Sequence, residues 1–310
     1  MSAAASPPVS VVIPAYNRAA SIVAAIDSVL RQTWTDFELI VVDDGSTDGT
    51  LAAAATITDP RLRLVPAPRN LGAAGARNLG VEEARGRWIA FQDSDDEWLP
   101  EKLARQMARL ATPPAQGDWG GCYCGLLTVG ALDAAPGTRT RLKYTPDPER
   151  SPVEGAILVP LLEHNMISTQ TLVVRRDLFL DLGRFDEATT PIEDWDFVIR
   201  LAARGPIAFV DEPLVHQRFS ENSITRRVEQ RLAAQKRLVE KNMALYAAHP
   251  DVLARQYYIL AGVNRAAGHL GEARANLARA RRLAPASLRP WAMSLYVTGL
   301  SLAGGGKKAG

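Results

Sequence analysis

Three short acidic clusters hold the side chains best suited to chemistry on a charged or polar substrate. They are Val41-Val42-Asp43-Asp44-Gly45-Ser46-Thr47-Asp48-Gly49, Gln92-Asp93-Ser94-Asp95-Asp96 and Glu193-Asp194-Trp195-Asp196. An Asp-x-Asp pair such as Asp93 and Asp95 offers two hard oxygen donors, the type that Mg²⁺ and Mn²⁺ take together with substrate phosphates. A carboxylate can also accept the proton of a hydroxyl as that oxygen attacks an electrophile. Each cluster has a plainer reading. The first suits a solvated turn, in which Asp and Ser bond the backbone and glycine supplies positive φ. The other two suit helix N-termini, where each acid contributes about 0.3–1 kcal/mol. A calcium loop starting at Asp44 fails, because its twelfth position is Ala55, which has no carboxylate.

The elements around these clusters favour chemistry. Val9–Pro14 is a β-branched run, and Ser21 is placed to cap a helix with apolar residues Ile22, Ile26, Val29 and Leu30. A strand at Leu39–Val42, a turn over Asp43–Gly49 and an alanine-rich helix from Thr50 follow. Next come a strand at Leu62–Val65, a helix around Ala76–Ala84 and a strand at Trp88–Gln92, with Pro100 suited to the first turn of a helix. A strand is expected at Gln170–Val174, and Glu193 opens a helix that turns Phe197, Val198, Leu201 and Ala202 inward. The repeated strand-helix order predicts a mostly parallel central sheet covered on both faces. Ligands of such sheets bind beyond the carboxyl ends of the strands, where the first two clusters lie.

The sequence resembles the family 2 glycosyltransferases of the GT-A, or nucleotide-diphospho-sugar transferase, fold over roughly Val9 to Arg227. The likeness rests on Val9-Ser10-Val11-Val12-Ile13-Pro14-Ala15-Tyr16-Asn17 and on Gln32-Thr33 with Phe37 through Asp48. It continues at Asn70-Leu71-Gly72 with Ala76-Arg77-Asn78-Leu79-Gly80, at Phe91 to Leu103, and at Gly183-Arg184-Phe185-Asp186-Glu187 before Glu193-Asp194-Trp195-Asp196. Five such stretches in order are far more specific than any one of them.

The resemblance implies an inverting, metal-dependent transfer of a sugar from a nucleotide diphosphate sugar, a UDP-sugar first, to a glycan or lipid-linked acceptor in polysaccharide biosynthesis. It places Pro14, Ala15, Tyr16, Asp44 and Arg77 at the donor nucleotide. Asp93 would lie beside the ribose or the metal, Asp95 would be a direct ligand of Mn²⁺ or Mg²⁺, and Asp194 would be the general base. His164 and Asn165, with Glu193 and Trp195, are candidates to face the acceptor. The chain departs from the family pattern after the base-bearing helix: Ser220 stands where many members carry a His, and His216 is out of register. A third protein ligand to the metal is therefore in doubt.

Composition supports a globular enzyme. The chain has 310 residues, 47% of them hydrophobic, enough to bury a sizeable core. Residues 1–225 carry 21 Lys and Arg against 30 Asp and Glu, a net −9, whereas residues 226–310 carry 15 against 4, a net +11. The charge break and a change of pattern predict a catalytic domain over 1–225 and a basic, helical C-terminal region over 226–310. Helical spacing runs through Arg231–Tyr246, Leu253–Ala267 and Leu270–Leu283, the last two resembling one tetratricopeptide-type pair. A segment with Trp291, Leu295, Tyr296, Val297, Leu300 and Leu302, near Arg289 and Lys307-Lys308, reads equally as a helix packed on its own domain and as an interfacial helix on an anionic membrane.

No nucleic-acid motif accompanies the positive charge. Cys122 and Cys124 read as ordinary thiols, and no stretch is long and apolar enough to span a bilayer. A cytoplasmic protein is the expectation, with a peripheral place on the inner face of the membrane if the interfacial reading of the last helix holds. The competing class is a catalytically silent nucleotide-sugar-binding protein or interaction scaffold, which would be expected to have lost the acids retained here. A nucleotidyltransferase would show a glycine-rich entry where Pro14-Ala15-Tyr16-Asn17 stands.

Overall fold

The structure, a computed structural model, describes residues 7–115, 117–131, 140–149, 151–218 and 228–305. Strands β1 (Val9–Ala15) and β2 (Phe37–Asp43) are buried at every residue. Mostly apolar runs of this kind, broken only by Ser10, Glu38 and Asp43, suit strands covered on both faces. The two pair in parallel from Val9 opposite Phe37 to Ala15 opposite Asp43, so they end level. β3 (Leu62–Pro66) lies parallel outside β2, and β4 (Trp88–Phe91) lies parallel on the other side of β1. Helices α1 (Ile22–Leu30), α2 (Thr50–Ala55) and α3 (Gly72–Glu83) connect them.

Beyond β4 the sheet becomes mixed. The chain continues through β5 (Glu97–Trp98), α4 (Lys102–Ala111), β6 (Gly121–Ala131), β7 (Thr140–Thr145), α5 (Leu158–Glu163), β8 (Val173–Arg175), α6 (Arg176–Asp181), α7 (Glu193–Ala202) and β9 (Ile207–Arg218). The nine strands are ordered β3-β2-β1-β4-β8-β6-β9-β5, with β7 on β6. β8 runs antiparallel to β4 and β6, while β6 and β9 are parallel. The expected parallel pairing is present in β3-β2-β1-β4 and again between β6 and β9.

Small residues let α3 lie close on this half. A side-chain carbon at Gly80 would fall 2.3 Å from Val12 Cγ1, and one at Gly75 would meet Leu71 Cβ at 2.8 Å. Contacts under about 3 Å require something to shift, so Gly80 sets the depth of α3 against β1, while Gly75 leaves room for Leu71 at the helix's own start. That depth brings Arg77, between them on the helix, down to the strand ends.

Four local expectations are corrected. Ser21 stands at the start of α1 but makes no side-chain cap bond; its N–H and that of Ile22 donate instead to the Arg18 carbonyl. The acidic run at Asp93 does not lead straight into a helix, because β5 intervenes before α4 starts at Lys102. The strand expected at Gln170 begins at Val173, after a 3₁₀ turn over Thr169–Thr171. Gln170 turns inward there, donating to Asp96 and accepting from the Trp98 indole. The helix expected over Arg231–Tyr246 is two, α8 (Val228–Lys241) and α9 (Met243–Ala247), split at the buried Asn242.

The chain divides into two compact units, Met1–Leu161 with Asn165–Glu187 and Glu193–Asn222, and Leu162–His164 with Ala188–Ile192 and Ser223–Gly310. The expected boundary at 225/226, Ser220 and Lys307-Lys308 lie outside the described residues. The second unit continues with α10 (Pro250–Ala266), α11 (Leu270–Leu283) and α12 (Leu288–Gly305). Ala261, Ala273, Leu277 and Val297 form one buried cluster of it, with Tyr258, Leu270 and Met293 packed around them.

Candidate active site

At the level ends of β1 and β2 the two following loops brace each other. The Asn17 N–H donates to Ser46 Oγ, while Asn17 Oδ1 accepts from the Thr47 N–H at 2.9 Å. Asn17 holds a left-handed φ of 53°, a conformation Asn tolerates better than most residues. The Arg18 N–H donates to Thr50 Oγ1, and the Ala19 N–H to Asp48 Oδ2. Pro14 and Ala15 are buried and Tyr16 is 47% exposed, so of this expected nucleotide-facing trio Tyr16 presents the accessible surface.

Asp44 is 2% exposed and already holds protein groups. Its Oδ1 accepts the Leu71 N–H at 2.6 Å and its Oδ2 the Gly72 N–H at 2.9 Å, at the start of α3. Its pKa is raised, by burial first and then by the neighbouring charges of Asp43 and Glu187. A carboxylate oxygen has a second lone pair, so the brace does not exhaust its acceptor capacity. The sequence offered no sign of this bracing role.

Arg77 is the centre of the site. It is 6% exposed and donates from Nη2 to Asp93 Oδ1 at 2.6 Å and from Nη1 to Glu193 Oε1 at 2.9 Å. The planar fork suits two carboxylates at once, and their charges hold the guanidinium well above its ordinary pKa against the opposing effect of burial. Arg77 therefore joins the acidic cluster after β4 to the one opening α7. Four phenylalanines pack between β4 and α7: Phe91 of β4, Phe179 of α6, Phe185 in the stretch after α6, and Phe197 of α7, with ring centroids 4.8–5.6 Å apart in five pairs. Asn78, one residue past Arg77, exchanges two hydrogen bonds with the Phe185 backbone.

The four acids of the second and third clusters that flank Asp93 and Glu193 have distinct partners. Asp95 lies 3.6 Å from Arg18, both about one-third exposed, and its pKa is raised by burial and then by the charge of Asp93. Asp96 is buried and accepts from Gln170. Asp196 is fully buried and paired with Arg200, which also donates to the Leu182 and Arg184 carbonyls. These last two are structural.

Asp194 is different. It is partly exposed, and both hydrogen bonds to its carboxylate, from Asn165 Nδ2 at 3.2 Å and from the Trp195 N–H at 2.6 Å, fall on Oδ1. Oδ2 keeps its lone pairs. Its pKa is pushed up to about 7, by burial first and then by the charge of Glu193. A base with that affinity is half-ionised near neutrality, where proton acceptance is most effective.

The acceptor-facing candidates separate. Asn165 is Asp194's hydrogen-bond partner, with its own Oδ1 fixed by the Ile167 N–H. Glu193 is buried on Arg77. Trp195 is turned into the core, 8% exposed, its indole N–H donating to the Leu161 carbonyl at 2.6 Å. His164 falls in the second compact unit, and His216 lies on β9 opposite Glu97. Sequence reasoning missed Arg18, whose position beside Asp95 depends on a loop brace between residues about thirty apart.

Among the described residues, four of the five buried side-chain polar atoms without a hydrogen bond belong to residues of this region, Asp43 Oδ1 at the end of β2, Gln92 Oε1 just after β4, Arg77 Nε and Glu193 Oε2; the fifth is Arg63 Nε on β3. Such atoms are rare in folded proteins and mark a place built for more than packing. Among the described residues no group of three or more His, Cys, Asp and Glu side chains could hold a metal by itself.

Comparison with known proteins places this architecture. Residues 10–142 match the family described as Glycosyl transferase family 2. The chain is 37% identical to the succinoglycan biosynthesis protein ExoO of Rhizobium meliloti over 64% of this chain and 57% of that protein. It is 44% identical to the UDP-Glc:alpha-D-GlcNAc-diphosphoundecaprenol beta-1,3-glucosyltransferase WfgD of Escherichia coli, over 33% of this chain and 40% of WfgD. These two relatives are therefore matched over little more than half of their length at most. The amylovoran biosynthesis glycosyltransferase AmsB of Erwinia amylovora is 30% identical over 67% of this chain and 68% of its own.

Among solved structures, residues 1–349 of S. aureus TarS in complex with UDP-GlcNAc superpose with a TM-score of 0.68 at 18% identity, covering 94% of this chain and 87% of that one. The mannosyltransferase PcManGT of Pyrobaculum calidifontis, in complex with GDP-Man and Mn²⁺, gives 0.60 at 22% identity, covering 96% and 81%. The fold is GT-A, and this chain belongs to glycosyltransferase family 2.

Proposed function

We propose that this chain transfers a sugar from a nucleotide diphosphate sugar, a UDP-sugar first, to an acceptor hydroxyl in glycan or polysaccharide biosynthesis, with inversion at the anomeric carbon. The observation that carries the reading is Arg77, which links Asp93 to Glu193 and so sets the raised-pKa carboxylate of Asp194 on the same network as Asp93 and Asp95. The UDP-Glc donor of WfgD and the UDP-GlcNAc held by TarS support UDP, while the GDP-Man of PcManGT keeps guanine in the comparison.

Asp194 Oδ2 accepts the proton of the acceptor hydroxyl while Asn165 and the Trp195 N–H hold Oδ1, so the carboxylate cannot rotate away. The acceptor oxygen forms its bond to the anomeric carbon as the bond to the nucleoside diphosphate breaks on the opposite face. Tyr16 and the remaining acceptor capacity of Asp44 serve the nucleoside. Arg18 is near enough to Asp95 to offer positive charge beside the diphosphate.

A divalent ion suits the donor set. Asp93 and Asp95 provide the one or two carboxylates that Mg²⁺ or Mn²⁺ takes alongside phosphate oxygens and water; the pKa of Asp95 is raised by burial first and then by the charge of Asp93, the part that a cation would relieve. When bound there, the ion neutralises charge on the departing diphosphate. The proposed acceptor is a glycan or lipid-linked hydroxyl, and the proposed place of action is cytoplasmic, at the inner face of the membrane.

The test is transfer from UDP-glucose and related donors in the presence of Mn²⁺, with the anomeric configuration of the product read by nuclear magnetic resonance. Transfer with inversion, lost in Asp194→Asn, is expected. A product that keeps the donor's configuration contradicts the mechanism. Tight donor binding with no transfer to any of a panel of lipid-linked and free glycans moves the silent-binder reading to the front.

A further inference from the structure

Helix α12 is apolar on two opposite sides. One side, Pro290, Met293 and Val297, turns into the core of the second unit, where Val297 is fully buried. On the other, Leu288 is 80% exposed, Trp291 48% and Leu295 77%, a spacing of three and four residues that lines them up along one face. Tyr296, 56% exposed, stands at the edge of that stripe. A helix of this kind hides one face in its own fold and leaves the other for a second apolar phase. Yet no helix among the described residues is long and apolar enough to cross a membrane.

The surroundings of the stripe say which phase. Residues 250–305 carry seven arginines, no lysine and only two acids, Asp251 and Glu272. Arg281 lies over the Trp291 ring, 4.6 Å from its centroid, and Arg265 over the Tyr296 ring at 5.5 Å. Arg289 is exposed on α12 itself, one residue past Leu288, and Arg282 is exposed at the end of α11. Arginine's planar fork bonds phosphate oxygens in pairs. Trp and Tyr sit at the level of lipid headgroups, with leucines reaching into the acyl boundary.

We infer that the outer face of α12 is a docking surface for an anionic phospholipid bilayer, with Leu288, Trp291 and Leu295 inserted and Arg281, Arg282 and Arg289 on the headgroup phosphates. The inference rests on the membrane location proposed above and joins the two readings of this segment, one face packed in its own unit and the other, with Leu288, Arg281 and Arg282 added, on the bilayer. It stands apart from the chemistry, because vesicle binding is read without turnover.

The experiment is co-sedimentation of the full chain with phosphatidylcholine vesicles and with vesicles in which part of that lipid is replaced by phosphatidylglycerol, at low and high salt. The wild type is expected to pellet with the anionic vesicles, less so at high salt and less with the neutral ones. Leu288→Glu with Leu295→Glu should lower the partition by about tenfold or more, since it removes two inserted side chains and adds charge facing the headgroups. Arg282→Gln with Arg289→Gln should weaken the preference for phosphatidylglycerol, Arg281 remaining, while leaving residual binding. All these positions are exposed, and an unchanged melting temperature verifies the fold of each variant. No pelleting by the wild type, or pelleting that the double glutamate variant leaves unchanged, overturns the inference. So does a dimer in sedimentation velocity that the glutamates dissociate, because the stripe would then be an interface between copies of this chain.

Discussion

Arg77 Nη2 stands 2.6 Å from Asp93 Oδ1, and this contact ties the helix that follows β3 to the acidic turn that follows β4. The other end of the same guanidinium holds Glu193, so one side chain fixes the relative places of the proposed metal-side and base-side acids.

Removing that cation should unsettle the fold as well as the site. Arg77→Met leaves the buried carboxylate of Glu193 and the mostly buried one of Asp93 without their counter-charge, which typically costs about 3–5 kcal/mol. Urea unfolding measures it. Arg77→Lys, a point charge that cannot fork to both acids, should recover only part of the loss.

Asp194→Asn should lower kcat by about 10²–10⁴ while leaving the donor dissociation constant nearly unchanged, because general-base help acts in the transition state. In the wild type, kcat/KM should rise with pH and level off above about 7, as the base must be ionised to accept a proton. The Asn variant should lack that limb. Stability moves the opposite way: a carboxyl whose folded pKa lies above its unfolded value stabilises the protonated fold, and that contribution is lost as pH rises through about 7. The variant should therefore gain melting temperature relative to wild type above neutrality and not in acid.

Gly80→Ala tests the close approach that delivers Arg77. Its methyl would lie 2.3 Å from Val12 Cγ1, with Val42 also at 3.2 Å, so α3 must lift from the sheet. Overpacking of this kind costs about 1–3 kcal/mol, and denaturant unfolding reads it. Transfer activity should fall further than stability alone explains, because the Arg77–Asp93 contact moves with the helix.

Lys102 carries a separate pH signature. It is fully buried, its Nζ donates to Gln106 Oε1 at 2.8 Å and sits 3.8 Å from the centre of the Trp98 ring, and burial pushes its pKa down to about 8. A lysine whose folded pKa is lowered disfavours the fold while charged, so wild-type stability should climb between pH 8 and 10.5. Lys102→Met should remove this climb in unfolding curves measured across that range.

Much of the site was legible because it is local. The buried runs of β1 and β2, the acids that follow the strands, and the Glu193–Asp196 helix start each lie within one short stretch. The pairings were not, since they join distant stretches: Arg77 with Glu193, Asp44 with the Leu71 and Gly72 N–H groups, Arg18 with Asp95. Trp195 shows the limit most clearly. Its position beside Asp194 invited an acceptor role, but one residue along a helix is a rotation of about 100°, which sends the indole into the core. The mixed half of the sheet escaped for a related reason, because β8 and β6 are placed by tertiary pairing rather than by a repeated strand-helix pattern.

The most direct measurement is calorimetric titration of UDP into the wild type and Asp95→Ala, with and without Mn²⁺, with GDP and dTDP alongside. The account predicts Mn²⁺-dependent binding of a nucleoside diphosphate, UDP first, that Asp95→Ala abolishes and Asp194→Asn retains. A folded protein that binds none of the three nucleotides, or that binds UDP equally well without Mn²⁺ and without the Asp95 carboxylate, contradicts it.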